Sequence, residues 1–167
     1  MQIIVAVSGI KNSGKTTLIE RLVSELTARG RKVAVIKHDG HEFECDIPGT
    51  DTHRFAEHGA YGTACFSENR MFVQRTGTGE SYEQLTGLFP EADVIFIEGA
   101  KNSSFNKMEV VRSAVSKEPV SNPEGRFLIV TDMPAGTFNE KTANIDDISA
   151  IADMIDKMIR RDGNEIG

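Results

Sequence analysis

The stretch IIVAVSGIKNSGKTT, Ile3 to Thr17, constrains this chain more than any other. A β-branched run stops at Gly9 and a helical pattern restarts near Lys15, with Gly9, Gly14, Lys15 and Thr16 fitting G-x-x-x-x-G-K-[ST], the phosphate-binding loop. Glycines let backbone N–H groups wrap a polyphosphate, and the N-terminus of the following helix adds partial positive charge. Gly9, Asn12, Ser13, Gly14, Lys15, Thr16 and Thr17 are therefore the expected nucleotide contacts. Lys15 would reach the β- and γ-phosphates and act in catalysis, and the Thr16 hydroxyl would meet Mg²⁺. The context the motif requires is present, because an apolar strand precedes it and an amphipathic helix follows.

The rest of the chain reads as α/β. Leu18, Ile19, Leu22, Val23 and Leu26 recur at helical spacing, and Gly30 stands where a helix C-terminus wants a left-handed residue. Lys32 to Ile36 is a second buried strand, completing one βαβ unit. Lys37 to Gly59 is irregular and dense in His, Asp and Glu, with a short helix expected from Asp51 to Glu57. Tyr61 to Ser67 and Arg70 to Arg75 read as a hairpin turning through Glu68 and Asn69. Ser81 with Gln84 fits a capping box for a helix carrying Leu85 and Leu88, closed by Pro90. Asp93 to Ile97, Met108 to Arg112 and Phe127 to Val130 are further strands. A last helix carries Ile145, Ile148, Ile151, Ala152, Ile155, Met158 and Ile159 on one face, with Asp146 and Asp147 in its first turn and Arg160 and Arg161 in its last. Residues 162–167 read as a frayed tail. The expected fold is one domain, residues 1–167, with the α/β architecture of a P-loop NTPase: a largely parallel, mixed central sheet flanked by helices.

Composition narrows the partners. At 167 residues the chain suits a single substantial core, and its net charge of -6 argues against a nucleic-acid surface. No apolar run reaches the ~18 residues of a membrane span, and Met1 leaves no room for a signal peptide, so a soluble cytoplasmic protein is expected. Cys45 and Cys65 lack metal-site or disulfide spacing and are expected to be small buried residues.

Four strands end in polar residues: Ser8-Gly9, Lys37-His38, Glu98-Gly99 and Thr131-Asp132. In a parallel sheet these ends share one edge and would line one crevice. Glu98 resembles the acid that closes a Walker B strand, holding Mg²⁺ directly or through water, or polarising a water near the γ-phosphate. Asp132 would accept from guanine N1–H and the 2-amino group if it faces a base, which adenine cannot satisfy; the alternative is a turn-forming aspartate before Pro134. In the irregular segment, His38 and His41 with Asp39, Asp46 and Asp51 fit a metal site, Lys37 and His41 suit an anion, and a solvated loop with Asp46 and Asp51 capping turns fits equally well.

At this point the residues resemble a known family. The phosphate loop, KHDGHEFECDIPGTDTHRFAEHGA (Lys37 to Ala60), VIFIEGAK (Val94 to Lys101), TDMP (Thr131 to Pro134) and NIDDISAIADMI (Asn144 to Ile155) are similar to the MobB family of molybdopterin-guanine dinucleotide biosynthesis adaptors. That resemblance implies a GTP-binding protein with weak Mg²⁺-dependent GTPase activity. It implies work beside a MobA-type guanylyltransferase in converting molybdopterin cofactor to its guanine dinucleotide form, with molybdopterin and molybdoenzyme apoproteins as further partners, and a homodimer. By position, Lys37, His38, His41 and Asp51 belong to the ligand-binding signature, Thr16, Asp46 and Glu98 to the metal set, Lys15 and Glu98 to catalysis, and Asp132 to base recognition. Thr50 and Ala100 depart from it, standing where the family usually has lysine and phenylalanine. No water-positioning glutamine or built-in arginine finger is evident, so hydrolysis should be slow, near ~10⁻⁴ to 10⁻² per second. An ATP-dependent small-molecule kinase or ligase is the competing reading.

Overall fold

A computed structural model describes residues 2–38, 43–77 and 79–164, the last three by their backbone. The chain forms two compact units, one from residues 1–38 and 83–167, the other from residues 39–82.

The larger unit is an α/β sheet. Its strands are β1 (Ile3–Ser8), β2 (Val33–Lys37), β5 (Val94–Glu98), β6 (Lys107–Val111), β7 (Arg126–Thr131) and β8 (Thr142–Asn144), in the spatial order β2-β5-β1-β6-β7-β8. Every pairing in it is parallel. β1 is central, aligned with β5 through Ile3↔Val94 to Val7↔Glu98 and with β6 through Ala6↔Lys107 to Ser8↔Glu109. The C-terminal ends of β2, β5, β1, β6 and β7 therefore lie along one edge, which includes the four ends expected from the sequence and adds that of β6.

One face of the sheet is the hydrophobic core. Ile3, Val5 and Val7 of β1, Val94 and Phe96 of β5, Met108 and Val110 of β6, and Leu128 and Val130 of β7 alternate onto this face. Helix α1 (Lys15–Ala28) packs there through Leu18, Ile19, Leu22 and Leu26, and helix α4 (Ile148–Asn164) through Ile151, Ala152, Ile155 and Ile159. Helix α1 ends as expected at Gly30, whose φ is +82°. The Gly30 N–H donates to the Thr27 carbonyl (2.9 Å) and the Arg31 N–H to the Leu26 carbonyl (3.0 Å), a Schellman closure. Beyond it Arg29 donates to Asp153 and Asp156, and Arg31 to Asp156, tying the end of α1 to α4.

The opposite face carries an unexpected buried charge network. Lys107 and Glu109 alternate away from Met108 and Val110 and are 0% and 1% exposed. The Lys107 ammonium donates to the carbonyls of Ser103 (2.6 Å), Asn122 (3.0 Å) and Glu124 (3.2 Å). Glu109 accepts from the Ser121 N–H (3.1 Å), the Ser121 hydroxyl and Arg126 (3.1 Å), and Arg126 continues to Glu140. Burial pulls the Lys107 pKa down, aided by the Arg126 charge and opposed by Glu109 and Glu124. This network fastens the helix-free segment between β6 and β7 to the sheet.

The smaller unit holds α2 (Asp51–Glu57) and an antiparallel hairpin, β3 (Gly62–Phe66) with β4 (Met71–Arg75), paired Gly62↔Arg75 through Phe66↔Met71. The antiparallel component of the expected mixed sheet is thus a separate two-stranded sheet.

Several expectations need correction. Cys45 and Cys65 are exposed: Cys45 lies in the irregular run before α2, and the hairpin buries only Thr63 of β3, because a two-stranded sheet does not supply the neighbours that would cover Cys65. The helix after Ser81 is the short α3 (Tyr82–Thr86), which stops before Leu88. Gly87 follows directly, and Leu88 is 67% exposed. Helix α4 begins at Ile148, so Asp146 and Asp147 precede its first turn; Asp147 accepts from the Ala150 N–H (3.1 Å) as an N-cap. It also continues to Asn164, past the start of the expected tail. β8 was not anticipated, being only three residues long. No described helix is long and apolar enough to cross a membrane.

Candidate functional site

The loop from Gly9 to Gly14 is shaped by glycine at the two places where it must be. A Cβ on Gly9 would stand 2.6 Å from the Val110 carbonyl oxygen and 2.8 Å from Ser13 Oγ, and its φ of +135° is open to few other residues. Gly14, at φ +95°, is the N-cap of α1 and makes no side-chain cap, so the first N–H groups of the helix stay directed into the loop. Asn12 also adopts a left-handed φ of 64°. Ser13 is fully buried, its hydroxyl without a hydrogen-bond partner.

Lys15 and Thr16 open α1 and point to the loop and to β5. The Lys15 ammonium donates to the Ile10 carbonyl (2.7 Å), spanning the loop. Burial lowers its pKa, while the negative charge of Glu98 works in the opposite direction. Thr16 Oγ1 lies 3.1 Å from each carboxylate oxygen of Glu98, donating to that group. Glu98 ends β5, and its backbone is fixed from both sides. The Gly99 N–H donates to the Val7 carbonyl (2.9 Å) and the Glu98 carbonyl accepts from the His38 N–H (3.4 Å). Gly99 (φ +107°) and Ala100 (φ +52°) then turn the chain sharply away. A hydroxyl and a carboxylate side by side are hard oxygen donors suited to Mg²⁺, and an ammonium with free helix N–H groups suits a polyphosphate.

Asp132, beyond β7, does not stand alone. Its carboxylate accepts from the Ser113 N–H (2.7 Å) and the Ser113 hydroxyl (3.2 Å), and Arg112 Nε is 3.7 Å away. The Ser113 N–H is foremost in holding the Asp132 carboxyl below the usual range; partial burial opposes this, and the Ser113 hydroxyl and Arg112 reinforce it. Two of the carboxylate's roughly four lone-pair sites are thereby occupied, leaving others for a further donor.

The remaining candidates divide between the units. Lys37 and His38, both exposed, end β2 on the same sheet edge as Gly9 to Thr17, Glu98 and Asp132. Asp46 and Asp51 belong to the smaller unit. Asp46 Oδ1 accepts from the Ile47 N–H (2.8 Å) and the Thr50 hydroxyl (3.1 Å). Burial would raise its pKa, but hydrogen bonds from Thr52, the Ile47 N–H and Thr50, with the His53 charge, bring it below the usual value. Thr50 caps α2 by accepting from the His53 N–H (3.4 Å). Asp51 sits in the first turn of α2, 3.7 Å from Arg54. His41 and Asp39 lie outside the described residues. Among the described residues no group of three or more His, Cys, Asp or Glu side chains is placed to hold a metal ion.

Arg112 is the residue the motifs missed. It follows β6 on the shared edge, and a Cβ on Gly14 would be 3.8 Å from its Cδ and Nη1. No local pattern marks it, since its place beside the loop comes from the pairing of β6 with β1.

Comparison with known proteins gives a consistent result. Residues 4–132 match the family described as MobB, molybdopterin guanine dinucleotide synthesis protein B. The molybdopterin-guanine dinucleotide biosynthesis adapter protein of Haemophilus influenzae is 29% identical over 159 residues, covering 93% of this chain and 89% of its own. That of Escherichia coli is 27% identical over 159 residues, covering 91% and 90%. Among solved structures, Bacillus subtilis MobB superposes with a TM-score of 0.74 at 22% identity, covering 93% of this chain and 96% of that one, which establishes likeness of fold.

Proposed function

The chain belongs to the MobB family, the molybdopterin-guanine dinucleotide biosynthesis adapters, and from that premise we propose that it is a Mg²⁺- and GTP-binding adaptor. It assists conversion of molybdopterin cofactor to its guanine dinucleotide form, beside a MobA-type guanylyltransferase. The observation that carries the nucleotide reading is the contact of Thr16 with Glu98 next to the loop that Gly9, Gly14 and Lys15 close. In this reading Gly9, Asn12, Ser13, Gly14, Lys15, Thr16 and Thr17 hold the phosphates. Thr16 and Glu98 hold Mg²⁺, which neutralises charge on the phosphoryl oxygens when bound. Lys15 exchanges its bond to the neutral Ile10 carbonyl for one to phosphate, an ionised acceptor that adds direct charge attraction.

Asp132 uses its remaining lone pairs to select guanine. By the family resemblance Lys37 and His38 in the larger unit, Asp46 and Asp51 in the smaller one, and His41 are ligand-binding candidates, with molybdopterin a fitting partner. Hydrolysis is slow and serves the adaptor's cycle rather than metabolic turnover. In this reading the protein is a single-domain cytoplasmic homodimer with molybdoenzyme apoproteins as further partners.

Competition of unlabelled ATP and GTP against labelled GTP tests the base assignment. Guanine preference of at least tenfold is expected; preference for ATP would favour a small-molecule kinase or ligase and remove the role given to Asp132. Single-turnover hydrolysis with and without the guanylyltransferase tests the adaptor role. The partner should change the rate or the nucleotide affinity, and no change in either contradicts coupling.

A further inference from the structure

We propose that Arg112 binds the nucleoside-proximal phosphate of the nucleotide, held in place by Asp132 and Ser113; this rests on the nucleotide reading of the Gly9 to Thr17 loop. Three observations converge on it. The first is position. β6 pairs with β1 up to Ser8↔Glu109, so the residues that follow β6 come alongside the loop that follows β1. The Arg112 side chain accordingly passes Gly14 at 3.8 Å from where a Cβ would stand.

The second is the state of the guanidinium. Arg29 and Arg126 donate to carboxylates and carbonyls that fasten helices and strands together. Arg112 does nothing comparable. Among the described residues its Nε is buried without a hydrogen-bond partner, the Asp132 carboxylate lies 3.7 Å from it, and its side chain is 42% exposed. Asp132 is itself fixed by the Ser113 N–H and hydroxyl, so the pair holds the Nε side of the guanidinium and leaves its Nη groups as donors.

The third is the side of β1 on which it sits. β5 and β6 flank β1. Thr16 and Glu98, the metal and γ-phosphate end, lie on the β5 side. A nucleotide anchored there and cradled by the loop leaves toward the β6 and β7 ends, where Arg112 and Asp132 stand. A guanidinium beside the N–H groups that cradle the α- and β-phosphates makes a bidentate, charge-assisted contact with a phosphate. Arg112 thus serves binding of nucleoside di- and triphosphates alike and is not an arginine finger for the γ-phosphate.

Calorimetric titration of GTP and of GDP, each with Mg²⁺, into the wild type, Arg112→Ala, Arg112→Lys and Lys15→Ala separates these roles. Arg112→Ala should weaken GTP and GDP by the same factor, about ten- to a hundredfold for a charge-assisted bond, leaving their ratio unchanged. Arg112→Lys, which keeps the charge and loses the fork, should recover part of the loss. The nucleotide-free unfolding midpoint of Arg112→Lys should equal that of the wild type. Loss confined to GTP would place Arg112 at the γ-phosphate and overturn the inference. Unchanged affinities for both nucleotides in Arg112→Ala, with Lys15→Ala still binding-deficient, would overturn it while sparing the nucleotide reading. Failure of the wild type to bind either nucleotide would remove that reading and this inference with it.

Discussion

Gly9 and Lys107 show how differently two single residues carry the same edge. Gly9 has no room for a side chain, with Val110 backbone and Ser13 Oγ both under 3 Å from a Cβ. Gly9→Ala is therefore expected to destabilise the protein by about 2 kcal/mol or more and to abolish nucleotide binding, as urea unfolding and titration will show. Lys107 is the reverse case, a charge that the fold has enclosed in three carbonyl oxygens. Lys107→Met leaves those acceptors unsatisfied and should cost about 3 kcal/mol in urea unfolding, with the segment between β6 and β7 becoming sensitive to protease first. The glycine was legible in the sequence because the motif encodes local backbone chemistry. The lysine was not: in KMEVV a Lys and a Glu alternating with apolar residues look like a solvated strand face, and only the returning segment around Ser121 to Glu124 makes that face an interior. Cys65 failed for the related reason that burial is decided by what packs on a strand, which the strand's own residues do not state.

At the scale of elements, the two helices on the core face are fastened at their ends by polar groups. Asp147 caps α4 through the Ala150 N–H, so Asp147→Ala should cost about 1 kcal/mol in urea unfolding with little effect on the site. At the far end of α1, Asp156 receives Arg29 and Arg31. Burial pushes the Asp156 pKa up, yet the hydrogen bonds from the two arginines more than offset it and leave the carboxyl below its usual value. A group depressed on folding contributes stability that is complete above its unfolded pKa, about 3.9, and is lost as pH falls through the lower folded value. Urea unfolding between pH 7 and pH 2.5 should show this acid loss, and Asp156→Asn should be less stable at pH 7 with a flatter acid limb. Helices α1, α2 and α4 and strands β1 to β7 were readable, the longer ones because a helical period or an apolar run stands out, α2 and the hairpin from the glycine and asparagine residues that bound them. The three-residue β8 and the single-turn α3 carry no such period, and Gly87 ends α3 where the capping pattern alone would have let it run to Leu88.

For the whole molecule, the order β2-β5-β1-β6-β7-β8 converts a scattered set of residues into one edge. Gly9 to Thr17, Lys37, His38, Glu98, Arg112 and Asp132 come from five strands and meet because every pairing is parallel. Much of that edge was foreseeable, since four of the five strands end in polar residues that the sequence marks; Arg112 was not, because its relation to Gly14 is set by strand order rather than by any motif. The segment Lys37 to Ala60 is divided between the two units, and its Asp46 and Thr50 serve α2 and its approach. The nucleotide claim thus rests on the larger unit. Titration calorimetry of GTP with Mg²⁺ into the wild type and into Lys15→Ala tests it most directly. Saturable, one-to-one binding to the wild type and at least a hundredfold loss in a folded Lys15→Ala protein are predicted; equal affinity in the two would contradict the account.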